Sequence, residues 1–209
     1  MSAAAPPEAR AHLVQAAVAL AGVTEAEGRR LAAAFGARAY GAREPVALPG
    51  GAAHDVLFVH TGLLRFYYPG AGGKESNKAF VAEGEFAGAL GAAALGVPPL
   101  YGIEALEPSV VLAAPCAALA ELMDRDRALD RFGRRLAETI LARKERRARS
   151  LLQQSAAERY ADLVRARPDL VQRVPQYEIA SYLGVTDVHL SRVRRAEGRR
   201  TRAERAPSI

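Results

Sequence analysis

The sequence predicts an α+β chain: an N-terminal antiparallel β-barrel of jelly-roll type with short helices, a long central helix, and a C-terminal helix-turn-helix unit. Three observations carry this. Residues 38–115 are rich in Gly and Pro, and short β-type runs stand between their turns. Residues 124–153 form a helical pattern without proline and with Gly133 as its one glycine. Val174–Arg195 reads as two short helices joined at a sharp turn. The expected divisions are an N-terminal segment at 1–23, a barrel at 24–123, the long helix at 124–153 and the helix-turn-helix region with a basic tail at 154–209.

In chain order, residues 1–7 are small and proline-bearing, and are expected to lack structure. Glu8–Ala21 reads as a helix. Thr24–Phe35 reads as another, with Thr24 and Glu27 placed for a capping box. Strands are expected at Val46–Leu48, Val56–His60, Leu63–Tyr68, Lys78–Val81, Ile103–Leu106 and Val110–Ala113. His60-Thr61-Gly62 reads as a hairpin turn, and Pro69–Gly73 as a longer loop. Gly70–Ser76 looks superficially like a phosphate loop, but it is too short and has no helix after it. Ala87–Gly96 suits a tight helical turn, and Ala117–Met123 a short helix.

In the long helix, Leu129, Phe132, Leu136 and Ile140 recur at three- and four-residue steps and make an apolar stripe. The expectation is a two-stranded dimer seam along these four residues, with packing on the chain's own barrel as the alternative. The run Arg143–Arg149 reads as a solvated basic face near DNA phosphates. Ala156–Arg167 reads as a helix ended by Pro168, with Tyr160, Leu163 and Val164 covering the unit that follows.

In that unit Pro175 suits a first helical turn, where its missing N–H needs no partner. Ile179, Ala180 and Leu183 give one apolar face. Gly184 allows a left-handed stop, and Thr186 restarts the chain as an N-cap. Leu190 and Val193 continue the apolar face. The remaining positions Asp187, His189, Ser191, Arg192, Arg194 and Arg195 are polar and mostly basic, as a helix lying in the DNA major groove requires. The tail after Arg195 carries Arg199, Arg200, Arg202 and Arg205, and its composition predicts disorder.

Charge divides the same way. Residues 1–130 hold 10 Lys and Arg against 14 Asp and Glu, while 131–209 hold 19 against 9. An acidic body joined to a basic, polyanion-binding part follows. No run approaches the roughly 18 apolar residues that cross a bilayer, and the N-terminus lacks the pattern of a signal peptide, so a cytoplasmic protein is expected. Cys116 is the single cysteine, which excludes an internal disulfide and an all-cysteine iron–sulfur cluster within one chain. The histidines His12, His54, His60 and His189 are scattered and read as surface or turn residues. No Ser/His/Asp or Cys/His set clusters and no HExxH spacing occurs, so neither an enzyme nor a metal site is expected.

Ser150–Arg195 resembles the Crp/Fnr family of bacterial transcription regulators, in ERY at Glu158–Tyr160, QRVPQ at Gln172–Gln176, IASYLGVT at Ile179–Thr186 and LSRVRR at Leu190–Arg195. More loosely, Phe58–Tyr68 and Tyr101–Ser109 are similar to that family's barrel segments. The resemblance implies a homodimer with a cyclic-nucleotide-binding-like barrel, a dimerising central helix and a winged helix-turn-helix, bound to a two-fold symmetric operator in double-stranded DNA. It implies RNA polymerase as a partner in members that activate. Arg192 stands at the family's arginine position and is the candidate reader of guanine O6 and N7. Val188 replaces a usual glutamate and suits a thymine methyl; Asp187, His189 and Ser191 face the same groove. Thr186, Gln176, Tyr177, Arg194 and Arg195 are the candidate phosphate contacts.

The sequence departs from the cyclic-AMP-binding members. Ala89 stands where a glutamate would hold the ribose, and Pro98, Pro99 and Leu100 where an arginine would hold the phosphate. Ala79–Asp124 contains no Lys, Arg or His. Cyclic AMP is therefore not expected as effector, and any small-molecule effector is unnamed. No wing hairpin is legible after Arg195. The expected function is a sequence-specific DNA-binding regulator; a sensor or interaction module with only non-specific DNA binding is the alternative.

Overall fold

The structure, a computed structural model, describes residues 5–51 and 55–204, with side chains as far as residue 196. It begins with α1 (Pro7–Ala21) and α2 (Glu25–Ala33), joined at Gly22, whose left-handed backbone (φ 62°) ends the first helix. The Thr24–Glu27 capping box starts the second, as its S/T-x-x-E spacing predicts.

Eight strands follow: β1 (Gly36–Tyr40), β2 (Pro45–Ala47), β3 (Asp55–Thr61), β4 (Leu64–Pro69), β5 (Glu75–Val81), β6 (Phe86–Gly88), β7 (Gly102–Ala105) and β8 (Ser109–Pro115). They form two antiparallel sheets of four strands, ordered β1-β8-β3-β6 and β2-β7-β4-β5. This is jelly-roll-like, as expected, but the sheets stay open and form no closed barrel. β1 and β6 were not legible as strands, because Gly36–Tyr40 and Phe86–Gly88 are short and rich in Gly and Ala. A 3-10 turn at Ala71–Gly73 fills the β4–β5 loop, and a short helix α3 (Leu90–Leu95) follows β6.

The remaining helices are α4 (Cys116–Arg125), α5 (Arg127–Gln153), α6 (Ala156–Ala166), α7 (Pro168–Arg173), α8 (Gln176–Leu183) and α9 (Asp187–Glu204). Asp126 breaks the long helical pattern: it leaves helical geometry and accepts from Ala128 N at 2.9 Å as an N-cap. The helix expected from residue 124 therefore starts at Arg127. The basic tail expected to be unstructured continues α9 to Glu204, while Arg205 lies outside the described residues. Ala5, inside the segment expected to lack structure, is buried.

Two corrections concern α5. Leu129, Phe132 and Leu136 are 2 % exposed or less, and their burial lies within the chain's own core, where Ile140 also packs. Their partners are α1, α2 and the β1-β8-β3-β6 sheet; Phe132 meets Phe86 ring-to-ring at 5.2 Å. Burying that ring is worth about 2–3 kcal/mol. Leu129, Phe132 and Leu136 are thus turned inward, the alternative of packing on the chain's own sheets, while Ile140 at the end of the stripe stays half-buried. The basic run is not a free face throughout either. Arg147 donates to the Tyr182 carbonyl and lies over that ring at 4.1 Å, and Arg143 pairs with Glu85 at 3.1 Å.

Candidate nucleic-acid interface

The candidate interface rests on α8 and α9. Gly184 (φ 69°) terminates α8, and Val185 N returns to the Ala180 carbonyl at 3.0 Å, so the chain reverses within three residues. Thr186 caps α9: its Oγ1 accepts from His189 N at 3.3 Å. Ile179, Ala180, Leu183, Leu190 and Val193 are buried together with Tyr160, Leu163, Leu170 and Val174. The ERY run now has a physical reading. Glu158 closes a capping box with Ser155, Arg159 Nε donates to the Leu183 carbonyl at 2.9 Å, and Tyr160 enters the core.

This packing leaves Asp187, Val188, His189, Arg192, Arg194 and Arg195 exposed on one helix, with Ser191 half-buried. Val188 is 62 % exposed, an apolar side chain that its own chain does not cover. Of the candidate phosphate contacts, Gln176 Oε1 accepts from Arg194 Nη1 at 2.6 Å, so these two are brought together across the α8–α9 angle. Thr186 stands at the α9 N-terminus. Half of the Tyr177 surface is exposed, and its hydroxyl accepts from Arg43 of the sheet domain.

That contact belongs to a seat that sequence reasoning missed. α8 lies along β5. Asn77 N donates to Ser181 Oγ at 2.9 Å, and Asn77 Nδ2 donates to the Glu178 carbonyl and carboxylate at 2.9 and 2.6 Å. The Glu178 carboxylate, 2 % exposed, also accepts from Arg43 at 2.7 Å and from Arg65 at 3.2 Å. Arg65 is 6 % exposed and donates further to Glu104 at 3.0 and 3.1 Å and to Glu75 at 2.5 Å. Burial alone pushes the Glu178 carboxyl up. The hydrogen bonds from Arg43 and Asn77 and the charges of Arg65 and Arg43 outweigh it and hold the group below the usual glutamate range. A second contact joins Arg173 to Glu83 at 2.8 Å and to Glu107 at 2.5 Å. Between them Phe80 of β5, with Leu63 just before β4 and Ala82 just after β5, shares the helix-turn-helix core.

One other expectation changes. His12 and His60 are not scattered: their Nδ1 atoms lie 3.1 Å apart between α1 and β3. Burial, then the charge of His60, pull His12 below the usual histidine range. His54 lies outside the described residues. The Cys116 thiol is half-buried, and burial pushes it up to about 11. Among the described residues no group of three or more His, Cys, Asp or Glu could hold a metal ion, and no helix is long and apolar enough to cross a membrane.

Residues 37–126 match the cyclic nucleotide-binding domain family. Among solved structures, the chain is similar to FixK2 from Bradyrhizobium japonicum, at 20 % identity and TM-score 0.71 over 80 % of this chain and 86 % of that one. It is similar to a CooA mutant from Carboxydothermus hydrogenoformans, at 20 % identity and TM-score 0.63 over 80 % and 78 %. A third likeness is to the Thermus thermophilus catabolite activator protein, at 20 % identity and TM-score 0.55 over 86 % of each chain. A search of curated proteins finds no match to this sequence. Residues 37–126 are therefore similar to a cyclic nucleotide-binding domain, and the fold of the chain is similar to the folds of these three proteins.

Proposed function

We propose that this protein is a sequence-specific DNA-binding transcription regulator of the cytoplasm, acting as a homodimer on a two-fold symmetric operator and not answering to cyclic AMP. The observation that carries the reading is the outer face of α9: Val188, His189, Arg192, Arg194 and Arg195 stand exposed on a helix buried on its other side through Leu190 and Val193. Arg192 is the guanine reader, Val188 the thymine-methyl contact, and Asp187, His189 and Ser191 line the same groove. Gln176, Thr186, Tyr177, Arg194 and Arg195 hold phosphates. Double-stranded DNA is the main partner, with RNA polymerase a further one if the protein activates.

Ala89 is buried at the head of α3 and offers no carboxylate for a ribose, which supports an effector other than cyclic AMP. The test is selection from random duplexes, followed by fluorescence anisotropy on the selected site. Arg192→Ala should lose about 1–3 kcal/mol on that site and relax one base preference. An equal loss on random DNA removes the base-reading role. No enriched sequence at all supports the reading favoured by the unusual Val188, a module that binds DNA without reading it.

A further inference from the structure

His12 and His60 stand 48 positions apart, and the fold brings their Nδ1 atoms within 3.1 Å of each other. His12 lies on α1. Phe58 packs edge-on against its ring at 5.0 Å, and a Cβ on Gly84, in the turn between β5 and β6, would stand 3.4 Å from its Nε2. His60 is the extra residue of a β-bulge in β3: Val59 pairs with Val111 and Thr61 with Val110. Bulges re-aim a side chain that regular pairing would place elsewhere. The two rings meet at 69°, with 5.4 Å between their centroids. Glu83 of the same β5–β6 turn accepts from Gly62 N at 2.9 Å and pairs with Arg173 of α7 at 2.8 Å.

Two facing nitrogens this close share one proton; they do not both carry one. Burial first, and then the charge of His60, hold His12 below the usual histidine range, so its imidazole is neutral at neutral pH. Neutral imidazole is the form that ligates Zn2+, Ni2+ and Cu2+. Two nitrogens held about 2.0–2.1 Å from one ion subtend about 95–100° when they lie 3.1 Å apart, between the octahedral and tetrahedral angles. A shared ion therefore fits the nitrogen separation already present, and the Glu83 charge favours a cation there.

We propose that His12 and His60 form a two-imidazole site for a divalent transition-metal ion of the Zn2+ class, between α1 and β3. Among the described residues no third His, Cys, Asp or Glu completes the set. Both side chains are half-buried and within reach of solvent, so water fills the remaining positions. Such a site holds an exchangeable ion, unlike a structural one with its closed set of four protein ligands. It borders Glu83, whose carboxylate joins the sheets to α7. It stands independently of the DNA-binding reading.

The test is equilibrium dialysis of the full chain, first stripped of metal with a chelator, against Zn2+, Cu2+ and Mg2+ in turn. Wild type should take up one Zn2+ or one Cu2+ saturably, and no Mg2+, which prefers oxygen ligands. His12→Gln and His60→Gln should each weaken that binding about tenfold or more, while Cys116→Ser should leave it unchanged. Cu2+ on wild type should show two nitrogen couplings in electron paramagnetic resonance, and one in either histidine variant. His12→Gln exchanges one half-buried polar group on a helix for another, so it tests the site even where His60→Gln fails to fold. No saturable binding, unchanged binding in either histidine variant, or equal uptake of Mg2+ overturns the proposal and leaves the pair as a hydrogen bond between neutral imidazoles.

Discussion

Gly62 shows how tightly a single residue can be specified. It turns the chain from β3 into β4 at φ 95°, and a Cβ there would stand 2.1 Å from Ser109 Oγ and 2.7 Å from Ser109 Cα. Ser109 is fixed in place, accepting from Leu63 N at 3.2 Å and donating to the Glu107 carbonyl at 2.7 Å. Glu107 in turn pairs with Arg173 of the helical unit. Gly62→Ala should therefore cost about 1–2 kcal/mol from the left-handed backbone alone, and more from the overlap. In a chain of this size that lowers the melting midpoint by about 2–8 °C before the overlap is added. A midpoint unchanged in differential scanning calorimetry refutes the assignment of strain to this turn. The turn itself was legible from His60-Thr61-Gly62 between two apolar runs. Its contact with Ser109 was not, since no local pattern announces a neighbour 47 residues away.

At the scale of elements, the sequence shows each helix of the helix-turn-helix and hides what they sit on. Gly184, Thr186 and the buried Ile179, Ala180, Leu183, Leu190 and Val193 are local signals, and each lies where its spacing places it. The seat on β5 depends on Arg65 and Glu178, 113 positions apart. Either residue read alone looks like an ordinary surface charge. The α5 stripe fails for a related reason: spacing reports that Leu129, Phe132 and Leu136 are buried, not whether the cover is α1 or a second copy. Breaking the seat has a measurable consequence. Glu178→Ala leaves Arg65 buried with its charge only partly matched, and should destabilise the chain by about 3 kcal/mol in denaturant unfolding. The carboxyl titrates below its unfolded value of about 4.3. Its contribution is complete above that value and lost as pH falls through the folded one. The gap between wild type and variant should therefore narrow below about pH 4. A gap that stays constant down to pH 3 assigns the loss to packing and not to the ion cluster.

For the whole molecule, the inward turn of the stripe moves the question of self-association to the opposite face of α5. There Ala137, Leu141, Ala148 and Leu152 follow one another at steps of four, seven and four residues, the spacing of a helix–helix seam. All are exposed; Leu141 is 57 % and Leu152 85 % accessible. Two copies joined along this line would supply the pair of α9 helices that a two-fold operator requires. Leu141→Glu puts a like charge from each copy at the centre of the seam, where Glu138 and Glu145 of the same helix already flank it. The stripe on the inner face is untouched, so each copy should keep its fold and melting behaviour. Sedimentation should show wild type as a dimer and the variant as a monomer. With half the phosphate contacts on each bound unit, the variant's slope of log affinity against log salt should fall to about half that of wild type. A variant that sediments as a dimer places the seam elsewhere. One that is monomeric yet keeps wild-type operator affinity and salt slope removes the homodimer from the proposed function.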